Sequence, residues 1–599
     1  MDEHALRELI QHVKAGRMSR RHFVQAMVGL GLTAPLAAQM LGAAGVAQAQ
    51  TKPAEFVPTK RGGGGPLKTL WWQAPTLLNP HFATGTKDQD AARIFYEPLA
   101  GFDPDGNVTP VLAAEVPSVA AGTLAKDLTW VTWRLKKGVT WHDGKPFTAA
   151  DVVFTWEYVT DPATAALTIG SYREISKVDA PDSHTVKVSF GKPQSFWADA
   201  FCGNRGPILP KHVFEPFKGA KSREAPANLK PVGTGPYRYA DFKPGDAVRA
   251  DAFPGYHVPN RPFFDTLEMK GGGDAVSAAR AVLQTGEYDY AWNLQVEDDI
   301  LRRLEQGGKG KVNIWPTGNP EHIQCNFTDP NVEIDGERSS VKTTHPLLSD
   351  PAVRQALNLL VDRAAVQEQI YGRQGQTSAN FLNAPSRFFS KNTRWEFNVD
   401  KAIQVLDAAG WKRGADGIRA KDGKRLKMLY QTAINAPRQK NQQIVKQAAA
   451  KAGIELELKS VTASVFFSSD PANPDTYPHF YADLQMYNTT MSAPDPQYFM
   501  AQFASWEAAS KANKWQGRNI TRWKNEEYDR TYTAADSELD PVKRAALFIK
   551  MNDLVIQNAV VIPVLWRNGV SASATSLRGM DLTGWDSSFW RLPYWYRQA

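Results

Sequence analysis

The segment 128–156 changes its apolar repeat halfway along, and this change constrains the local fold more than any other feature of the chain. Leu128–Leu135 reads Leu-Thr-Trp-Val-Thr-Trp-Arg-Leu, an alternation that predicts a β-strand. The glycine-containing stretch Lys136–Lys145 predicts a hairpin-like turn. Thr148 is a good helix N-cap with Asp151 three residues on, so we predict a helix from about residue 149. The segment therefore predicts a strand–turn–helix unit.

The rest of the chain also alternates between strand-like and helix-like segments. The predicted strands include Leu67–Trp72, Ile323–Phe327, Ile454–Leu458 and Val560–Leu565, and the predicted helices include Asp90–Leu99, Ala278–Thr285, Pro351–Ile370, Asp400–Ala409, Pro437–Ala452 and Lys543–Gln557. This alternation predicts the α/β class. At roughly 100–200 residues per domain, 599 residues predict three or four structural units.

The N-terminal segment carries an export pattern. Arg20 and Arg21 precede a weakly apolar, acid-free stretch, Val24–Val46, which closes with the cleavage-type sequence Ala47-Gln48-Ala49. The alternative is a single membrane helix, but the glycines and the proline of this stretch make a poor span. We therefore predict a twin-arginine signal peptide over residues 1–49 and a flexible linker over residues 50–66.

Only two cysteines occur, Cys202 and Cys325. Neither lies near the signal, so no cysteine is available to carry a lipid anchor at the new N-terminus. We therefore expect an exported protein that is free of the membrane. In an oxidising compartment the two thiols could pair, but sequence spacing cannot place them within bonding distance, so both states stay open.

Charge and histidine patterns argue against several classes of partner. The net charge of +8 is dispersed, without a lysine- and arginine-rich run, so we expect no nucleic-acid binding. The eleven histidines are scattered, and none follows another at a spacing of two to four residues. A structural zinc site usually clusters its ligands, so we predict no metal site and no cofactor.

The pair His142-Asp143 raises the question of catalysis. Neighbouring side chains on a turn tend to point apart, so we interpret the pair as part of the turn rather than as a working dyad. The chain has neither a Gly-x-Ser-x-Gly elbow nor a Ser-x-x-Lys motif in a plausible context. A triad of distant residues stays open, since triads are spatial. We predict no catalytic residue.

The stretch LTWVTWRLKKGVTWHDGKPFTAADVVFTW resembles the signature block of the family 5 extracellular solute-binding proteins. Further landmarks follow in the order of that family: Tyr96–Leu99, Gly233–Tyr237, Leu283–Asp289, Asp350–Arg363, Ala409–Trp411, Ala452–Ile454 and Ile562-Pro563. The resemblance spans the chain from about Leu67 to its C-terminus.

This resemblance implies a two-lobed periplasmic-binding-protein fold with an extra domain and a hinged cleft. It implies a discontinuous domain I over 67–107, 231–328 and 555–599, with domain II over 108–230 and domain III over 329–554. The chain would cross between lobes near Pro231, Thr328 and Leu554. Proteins of this kind bind dipeptides or oligopeptides for ABC importers and close on the ligand by hinge bending.

The resemblance also implies where a ligand would lie. The candidate ligand-binding residues are Thr84, Gly85, Thr86, Trp292, Asn293, Asn488, Ser492, Asp495, Asn519 and Arg522. The first three follow the first strand, where the family loop touches ligand, although an ordinary glycine turn is the alternative. An aromatic wall with a few polar groups suits a small-molecule cleft, although a single tryptophan is more often part of a core.

The segment MYNTTMSAPDPQYF departs from the pattern of peptide binders. Those proteins carry a tryptophan and an aspartate ahead of the Asp-Pro pair, and the aspartate binds the peptide ammonium. Here Thr489 and Ser492 occupy those positions, while Asp495 matches the later aspartate. A buried ligand ammonium needs a carboxylate partner. Either Asp483 or Asp495 supplies that carboxylate, or the ligand has no free amine at this position.

These observations together predict a periplasmic substrate-binding protein that performs no chemistry. We expect a monomer that captures a peptide or peptide-like solute, delivers it to an ABC permease, and is exported by the twin-arginine translocase. The alternatives are a non-peptide ligand, such as an opine, an oligosaccharide or a metal chelate, or an exported enzyme on this fold.

Overall fold

The computed structural model describes Phe23 and residues 56–598. The predicted signal peptide and the first part of the linker lie outside the described residues. Residues 58–598 pack together as one unit. The strands are β1 (Pro66–Trp71), β2 (Ala100–Phe102), β3 (Val108–Pro110), β4 (Trp130–Arg134), β5 (Ile175–Asp182), β6 (Thr185–Phe190), β7 (Tyr237–Lys243), β8 (Ala247–Ala252), β9 (Thr266–Gly271), β10 (Tyr290–Ala291), β11 (Gly310–Cys325), β12 (Glu333–Ile334), β13 (Glu337–Arg338), β14 (Gly375–Thr377), β15 (Lys412–Arg413), β16 (Arg419–Lys421), β17 (Lys424–Arg425), β18 (Lys427–Ala433), β19 (Glu455–Val461), β20 (Leu484–Asn488), β21 (Val561–Ala574), β22 (Leu577–Arg578) and β23 (Tyr596–Arg597).

Helices alternate with these strands, which confirms the α/β prediction. They are α1 (Thr86–Arg93), α2 (Ala149–Thr160), α3 (Lys211–Phe214), α4 (Ala275–Leu283), α5 (Asp298–Glu305), α6 (Pro351–Leu359), α7 (Arg363–Val366), α8 (Val399–Ala408), α9 (Ala436–Ala452), α10 (Ala463–Phe466), α11 (Gln497–Met500), α12 (Glu526–Ser537) and α13 (Pro541–Gln557). The helix predicted over Asp90–Leu99 lies earlier, in α1. The helix predicted over Pro351–Ile370 is interrupted, because Asp362 caps α7 by accepting a hydrogen bond from Ala365 N at 3.0 Å.

One large mixed sheet runs through the molecule in the order β19-β18-β20-β11-β21-β10-β1-β9-β8-β7, with β14 also paired to β21. Strands β1, β9 and β10 are parallel to one another at one end, and β18, β19 and β20 are parallel at the other. The antiparallel pair of β11 and β21 joins the two groups. Two long strands therefore connect what are otherwise two separate half-sheets.

The pairing of β11 with β21 is irregular between Trp315 and Asn319. Before this point the pair adjoins β10, where Ala572 lies opposite Ala291, and after it the pair adjoins β20. An irregularity of this kind bends a sheet and increases its local twist. The direction of the sheet thus changes within β11 and β21, between the two half-sheets. The crossing that we predicted near Thr328 lies just beyond the end of β11. The domain bounds themselves stay a prediction.

A smaller sheet, β4-β6-β5, contains the strand–turn–helix unit that the sequence predicts. Strand β4 ends at Arg134 and helix α2 begins after Thr148. Thr148 and Asp151 form a reciprocal capping box, with Thr148 N donating to Asp151 Oδ2 at 2.9 Å. The helix start is therefore set by the local chemistry that the sequence shows, and this prediction is confirmed.

His142 and Asp143 face different partners. The imidazole Nδ1 of His142 accepts a hydrogen bond from Gly233 N at 3.1 Å, and its Nε2 lies 3.0 Å from Gly235 O. Asp143 Oδ2 instead lies 2.7 Å from His212 Nε2. Burial lowers the pKa of His142 to about 4, so the ring is neutral at neutral pH. The interpretation of the pair as part of the turn is confirmed.

The turn that contacts His142 also needs its glycines. A Cβ atom on Gly233 would lie 1.8 Å from Phe95 O, and one on Gly235 would lie 2.7 Å from the same oxygen. Gly235 N donates to Phe95 O at 2.8 Å, which holds the turn against the end of α1. These glycines therefore serve close backbone approach between segments that are far apart in the sequence.

Glu97 is a buried carboxylate that ties the same region together. It accepts hydrogen bonds from Tyr256 OH at 2.9 Å and Thr234 Oγ1 at 3.0 Å, and lies 2.9 Å from His257 Nε2. Burial alone would raise the pKa of Glu97, but the neighbouring His257 and Arg93 and these hydrogen bonds together hold it below the ordinary value of 4.5. Two of the sequence landmarks, Tyr96–Leu99 and Gly233–Tyr237, thus meet at one ionised side chain.

The two cysteines are both free and buried. Burial raises the pKa of Cys325 to about 12 and also raises that of Cys202. Neither thiol is therefore ionised or reactive at neutral pH, and of the two states that the sequence left open the structure has the unpaired one.

Glu97→Ala should lower the free energy of unfolding by about 3 kcal/mol, because it leaves buried polar partners without their acceptor. The pKa of Glu97 is lowered on folding, so its stabilisation is complete above about pH 4.5 and is lost as the pH falls through the folded value. Urea unfolding at several pH values measures this. The control is Glu157→Ala, which breaks the exposed pair with Lys218 and should cost about 1 kcal/mol or less. Equal effects of the two variants would contradict the account.

Candidate ligand-binding cleft

A cavity of about 290 Å³ lies where the large sheet bends. Its walls include Trp315, Thr317 and Asn319 of β11 and the middle of β21 around Arg567 and Gly569. The loop before α1, the end of β10 and several segments between residues 467 and 520 complete the lining. The cavity is thus built from both half-sheets and from segments far apart in the chain.

Seven of the ten predicted ligand-binding residues line this cavity. They are Thr84, Gly85, Thr86, Trp292, Asn293, Asn488 and Ser492. Trp292 is 7% exposed and stacks on Trp71, with a centroid distance of 6.0 Å and an interplanar angle of 5°. Their shared location makes these residues the candidates for ligand contact, and a binding role for each stays a prediction.

Asp495 does not line the cavity, contrary to its predicted place. Its carboxylate is buried against Arg544, which donates from Nη1 to Oδ2 and from Nη2 to Oδ1, the second at 3.0 Å. Oδ1 also accepts from Gln497 N at 3.0 Å, at the start of α11. The hypothesis that Asp495 binds a ligand ammonium is therefore not supported by this structure, because Arg544 already pairs with the carboxylate.

Asn519 and Arg522 also lie outside the cavity lining. Asn519 Nδ2 donates to Ala504 O at 3.1 Å and Trp523 O at 2.8 Å. Arg522 donates to four backbone carbonyls, including that of His479 at 3.1 Å. Both side chains brace the segments that carry cavity residues, because a fully buried amide or guanidinium must satisfy its donors internally.

Asp483, the other acid that we considered for a ligand ammonium, is also engaged elsewhere. Its Oδ1 lies 2.8 Å from His345 Nε2, and its Oδ2 accepts from Leu429 N at 2.5 Å. It does not line the cavity. Neither of the two carboxylates proposed from the sequence is therefore placed to bind an amine.

Two arginines that the sequence analysis missed reach the cavity beside one buried glutamate. Glu321 of β11 is fully buried, with Arg438 Nε 2.5 Å from its Oε1 and Arg567 Nη1 3.7 Å from its Oε2. Arg438 lies in the first turn of α9, where the helix dipole disfavours a cation. A cation in the first turn of a predicted helix was the one feature of the sequence that could have drawn attention to Arg438. The ion pair with Glu321 offsets the unfavourable interaction with the helix dipole.

Amides complete this arginine pair. Arg567 Nη2 donates to Asn293 Oδ1 at 2.8 Å. With the Gln295 amide oxygen turned toward the arginines, it accepts from Arg438 Nη2 at 3.1 Å and from Arg567 Nη1 at 2.6 Å. Arg438 Nη1 and Arg567 Nε remain buried without a hydrogen-bond partner in the protein. The group carries one positive charge more than its carboxylate neutralises. We call Glu321, Arg438 and Arg567 the first arginine group.

A second arginine group, Arg205, Arg518 and Tyr498, lines another part of the cavity. The two guanidinium carbons lie 4.0 Å and 3.9 Å from the centroid of the Tyr498 ring. Arg205 Nη1 donates to Ser492 Oγ at 3.0 Å, and Arg205 also pairs with Asp199. Ser492, which we predicted to stand at the position of the aspartate in peptide binders, is therefore in contact with a guanidinium.

The cavity is bridged by contacts between segments distant in sequence. Thr84 Oγ1 donates to Phe467 O at 3.2 Å, and Thr86 Oγ1 lies 3.4 Å from Thr490 Oγ1. Tyr498 OH donates to Leu167 O at 3.1 Å. These hydrogen bonds are neutral, and the ion pairs Arg173–Glu507 and Lys192–Asp536 add charged contacts between segments that are equally distant in sequence.

Among residues 56–598 no group of three or more histidine, cysteine, aspartate or glutamate side chains is placed to hold a metal ion. Within the same described part of the chain, no helix is long and apolar enough to cross a membrane.

Residues 107–511 match the model of the family described as bacterial extracellular solute-binding proteins, family 5. The chain belongs to this family. The glutathione-binding protein GsiB of Escherichia coli (strain K12) is 24% identical over 523 residues, covering 86% of this chain and 90% of the relative. The oligopeptide-binding protein AppA of Bacillus subtilis (strain 168) is 28% identical over 474 residues, covering 78% and 79%.

Solved structures share the fold of this family 5 protein. AppA of Bacillus subtilis in complex with a nonapeptide superposes with a TM-score of 0.77 at 24% identity, covering 90% of this chain and all of AppA. NikZ of Campylobacter jejuni in complex with Ni(L-His) gives 0.75 at 21% identity, covering 89% of this chain and 99% of NikZ. The predicted two-lobed, multi-domain α/β fold is thereby confirmed.

Asp495→Asn should lower the free energy of unfolding by about 2–3 kcal/mol, because it leaves the buried Arg544 without its counter-charge. The affinity for the ligand that co-purifies with the protein should change by less than about threefold, or ~0.7 kcal/mol. Calorimetry and urea unfolding measure the two quantities. Ser492→Ala is the matched variant, expected to change affinity but not stability. A strong loss of affinity in Asp495→Asn with unchanged stability would contradict this assignment.

Proposed function

We propose that this protein captures a small peptide or peptide-like solute by cleft closure and delivers it to an ABC permease. The observation that carries the proposal is the cavity at the bend of the β11–β21 pair, lined from both half-sheets. A ligand that contacts both sides stabilises the closed form by its differential affinity for the two forms. The protein itself does no chemistry in this role.

The cavity offers a ligand both polar and aromatic contacts. Ser492, Asn488 and Asn293 supply polar groups, while Trp292 and Tyr487 supply ring surfaces. An extended peptide could pair its backbone with such groups and leave its side chains loosely specified. Thr84 and Thr86 would close over it from the loop before α1.

A non-peptide solute is the second candidate. It is favoured by the engagement of Asp483 and Asp495 with internal cations or backbone groups, which leaves neither of them to pair with a peptide ammonium. Because burying an unpaired ammonium is costly, a ligand without one fits these two acids better.

We further propose that a twin-arginine signal exports the folded chain to the periplasm, where it acts as a monomer and meets the permease subunits of the inner membrane. The support is the sequence pattern around Arg20 and Arg21, with Ala47-Gln48-Ala49 as the cleavage site.

Ligand binding should stabilise the protein. The protein is first unfolded in denaturant, freed of bound solute and refolded. Its free energy of unfolding should then rise by about 2.7 kcal/mol at a ligand concentration one hundred times Kd. Thermal unfolding with the solute released from the natively purified protein, identified by mass spectrometry, measures this. If no released solute and no compound from peptide, sugar and organic-acid collections raises Tm, the proposed function fails. Turnover of the bound compound would contradict the binding-only role.

Replacing Arg20 and Arg21 together by lysine should block export, because the translocase reads the guanidinium pair rather than charge alone. Immunoblots of periplasmic and cytoplasmic fractions should show the uncleaved precursor in the cytoplasm. Arg7→Lys, an equivalent change outside the pair, is the control. Normal export of the double variant would reject the twin-arginine route while leaving the solute-binding role intact.

A further inference from the structure

We infer that the solute is acidic at two points: one acidic group lies on Arg438 and Arg567, and a second lies by Ser492 on Arg205 and Arg518. This inference rests on the proposed solute-binding function and deepens it. The chemical class is a small dicarboxylate, or a comparable dianion, that has no free amine at the Ser492 position.

The first arginine group has too few internal acceptors. Glu321 is the carboxylate that ion-pairs with both Arg438 and Arg567, and all three side chains are at least nine-tenths buried. Arg438 lines the cavity, and its Nη1 has no partner in the protein. Unpaired buried charge is costly, and a carboxylate suits a guanidinium geometrically. An acidic ligand group would supply both the missing acceptor and the missing charge.

The second arginine group reverses the charge expected of a peptide amine subsite. An ammonium placed by Ser492 would face Arg205, whose Nη1 is 3.0 Å from the serine oxygen. Like charges at such a distance repel strongly wherever water is excluded. The same placement attracts an anion, so the subsite selects a group of opposite sign to an ammonium.

Asp199 and Glu507 neutralise part of the charge of the second group, but Arg173 shares Glu507, so the three arginines exceed the two carboxylates by one charge. Asp199 pairs with Arg205, but no described residue forms an ion pair with the guanidinium of Arg518. Glu507, the acid near Arg518, lies 2.7 Å from Arg173. The Nε atom of Arg518 is buried without a partner. Arg518 lines the cavity and is only partly buried, so a ligand in the cavity can reach it.

Two acidic side chains, Asp470 and Asp586, line the cavity. Neither is placed to serve as the carboxylate partner of a ligand ammonium. Asp586 accepts hydrogen bonds from Phe102 N at 3.1 Å and Ser587 N at 2.7 Å; burial raises its pKa, against the opposite effect of Arg93 and Arg205. Asp470 is exposed and accepts from Ala472 N at 2.9 Å within its own turn. The buried arginines therefore dominate the inner surface.

The two groups are separate. Among the described residues no hydrogen bond or ion pair links Arg438 or Arg567 to Arg205 or Arg518. Aromatic side chains, including Trp292 and Tyr487, also line the cavity. A ligand that binds both arginine groups thus has two acidic groups joined by a linking chain. The aromatic side chains can pack against that chain.

Calorimetry on the full-length mature protein, freed of bound solute, tests the inference with succinate, glutarate, adipate, pimelate and suberate. Each diacid is paired with its monoamide, and the dipeptide Ala-Ala serves as the amine-bearing probe. We expect one chain length in the diacid series to bind best, its monoamide to bind ~10- to 100-fold more weakly, and Ala-Ala to bind more weakly still.

Variants assign the two acidic groups. Arg567→Met removes the excess charge but leaves Arg438 paired with Glu321, so the fold should persist. Arg518→Met removes the second site. Each substitution should lower the affinity for the preferred diacid by ~10-fold or more. It should also reduce the ratio between the affinities for that diacid and for its monoamide. Arg249→Met, which breaks a surface ion pair with Glu268, should change neither the affinity for the diacid nor its ratio to the affinity for the monoamide. Circular dichroism and Tm of the ligand-free variants establish that they fold.

The outcomes separate this inference from the function it rests on. Binding of Ala-Ala in preference to every diacid, unchanged affinity in both arginine variants, or a co-purified solute that carries an amine and fewer than two acidic groups would each overturn the dianion assignment, while solute binding would stand. Failure of every diacid to bind would also overturn it. Absence of any bound or bindable solute would instead contradict the proposed function.

Discussion

The antiparallel pairing of β11 with β21 is the constraint on which the rest of the structure depends. Among residues 56–598 it is the one ladder that connects the two half-sheets, and its irregular stretch between Trp315 and Asn319 sets the bend at which the cavity lies. Backbone hydrogen bonds on both sides of the bend keep each half-sheet intact. Motion between the halves can therefore concentrate where pairing is interrupted, because the ladder there has fewer bonds to break. The same stretch carries Thr317 into the cavity wall, so the bend and this part of the wall are built from one element.

Electrostatics at this bend give the cleft its chemical character. Glu321, on β11, is fully buried and holds Arg438 and Arg567 at the cavity wall. A buried carboxylate with one arginine would be neutral and inert, whereas with two arginines it leaves a charge that the protein does not neutralise. Keeping such a group is costly unless a ligand completes it. The buried pair of Asp495 and Arg544 is the contrasting case, since it is neutral and lies off the cavity.

Local sequence chemistry predicted much of the fold. The capping residue Thr148 with Asp151 placed the start of α2, and a prediction of this kind succeeds because the cap and its acceptors lie within one helical turn. The helix predicted from Pro351 to Ile370 failed in its middle, where Asp362 starts a new helix and Arg363 turns inward to donate to Pro563 O at 2.7 Å. Apolar periodicity alone did not reveal that break, because the Asp362 cap is a polar feature and the acceptor that fixes Arg363 lies on a strand two hundred residues away.

The sequence by itself determined the α/β class, the strand–turn–helix unit and the family membership, since these depend on apolar repeats, caps and landmarks that are contiguous in the chain. Tertiary structure alone decided which charged residues line the cavity. Asp495 looked available because its neighbours in sequence match a binding motif, yet Arg544 neutralises it in the fold. Arg438 and Arg567 looked ordinary, yet both meet at Glu321 from distant segments. The physical reason is that a side chain's electrostatic partner is set by packing in three dimensions, which no local pattern of residues records.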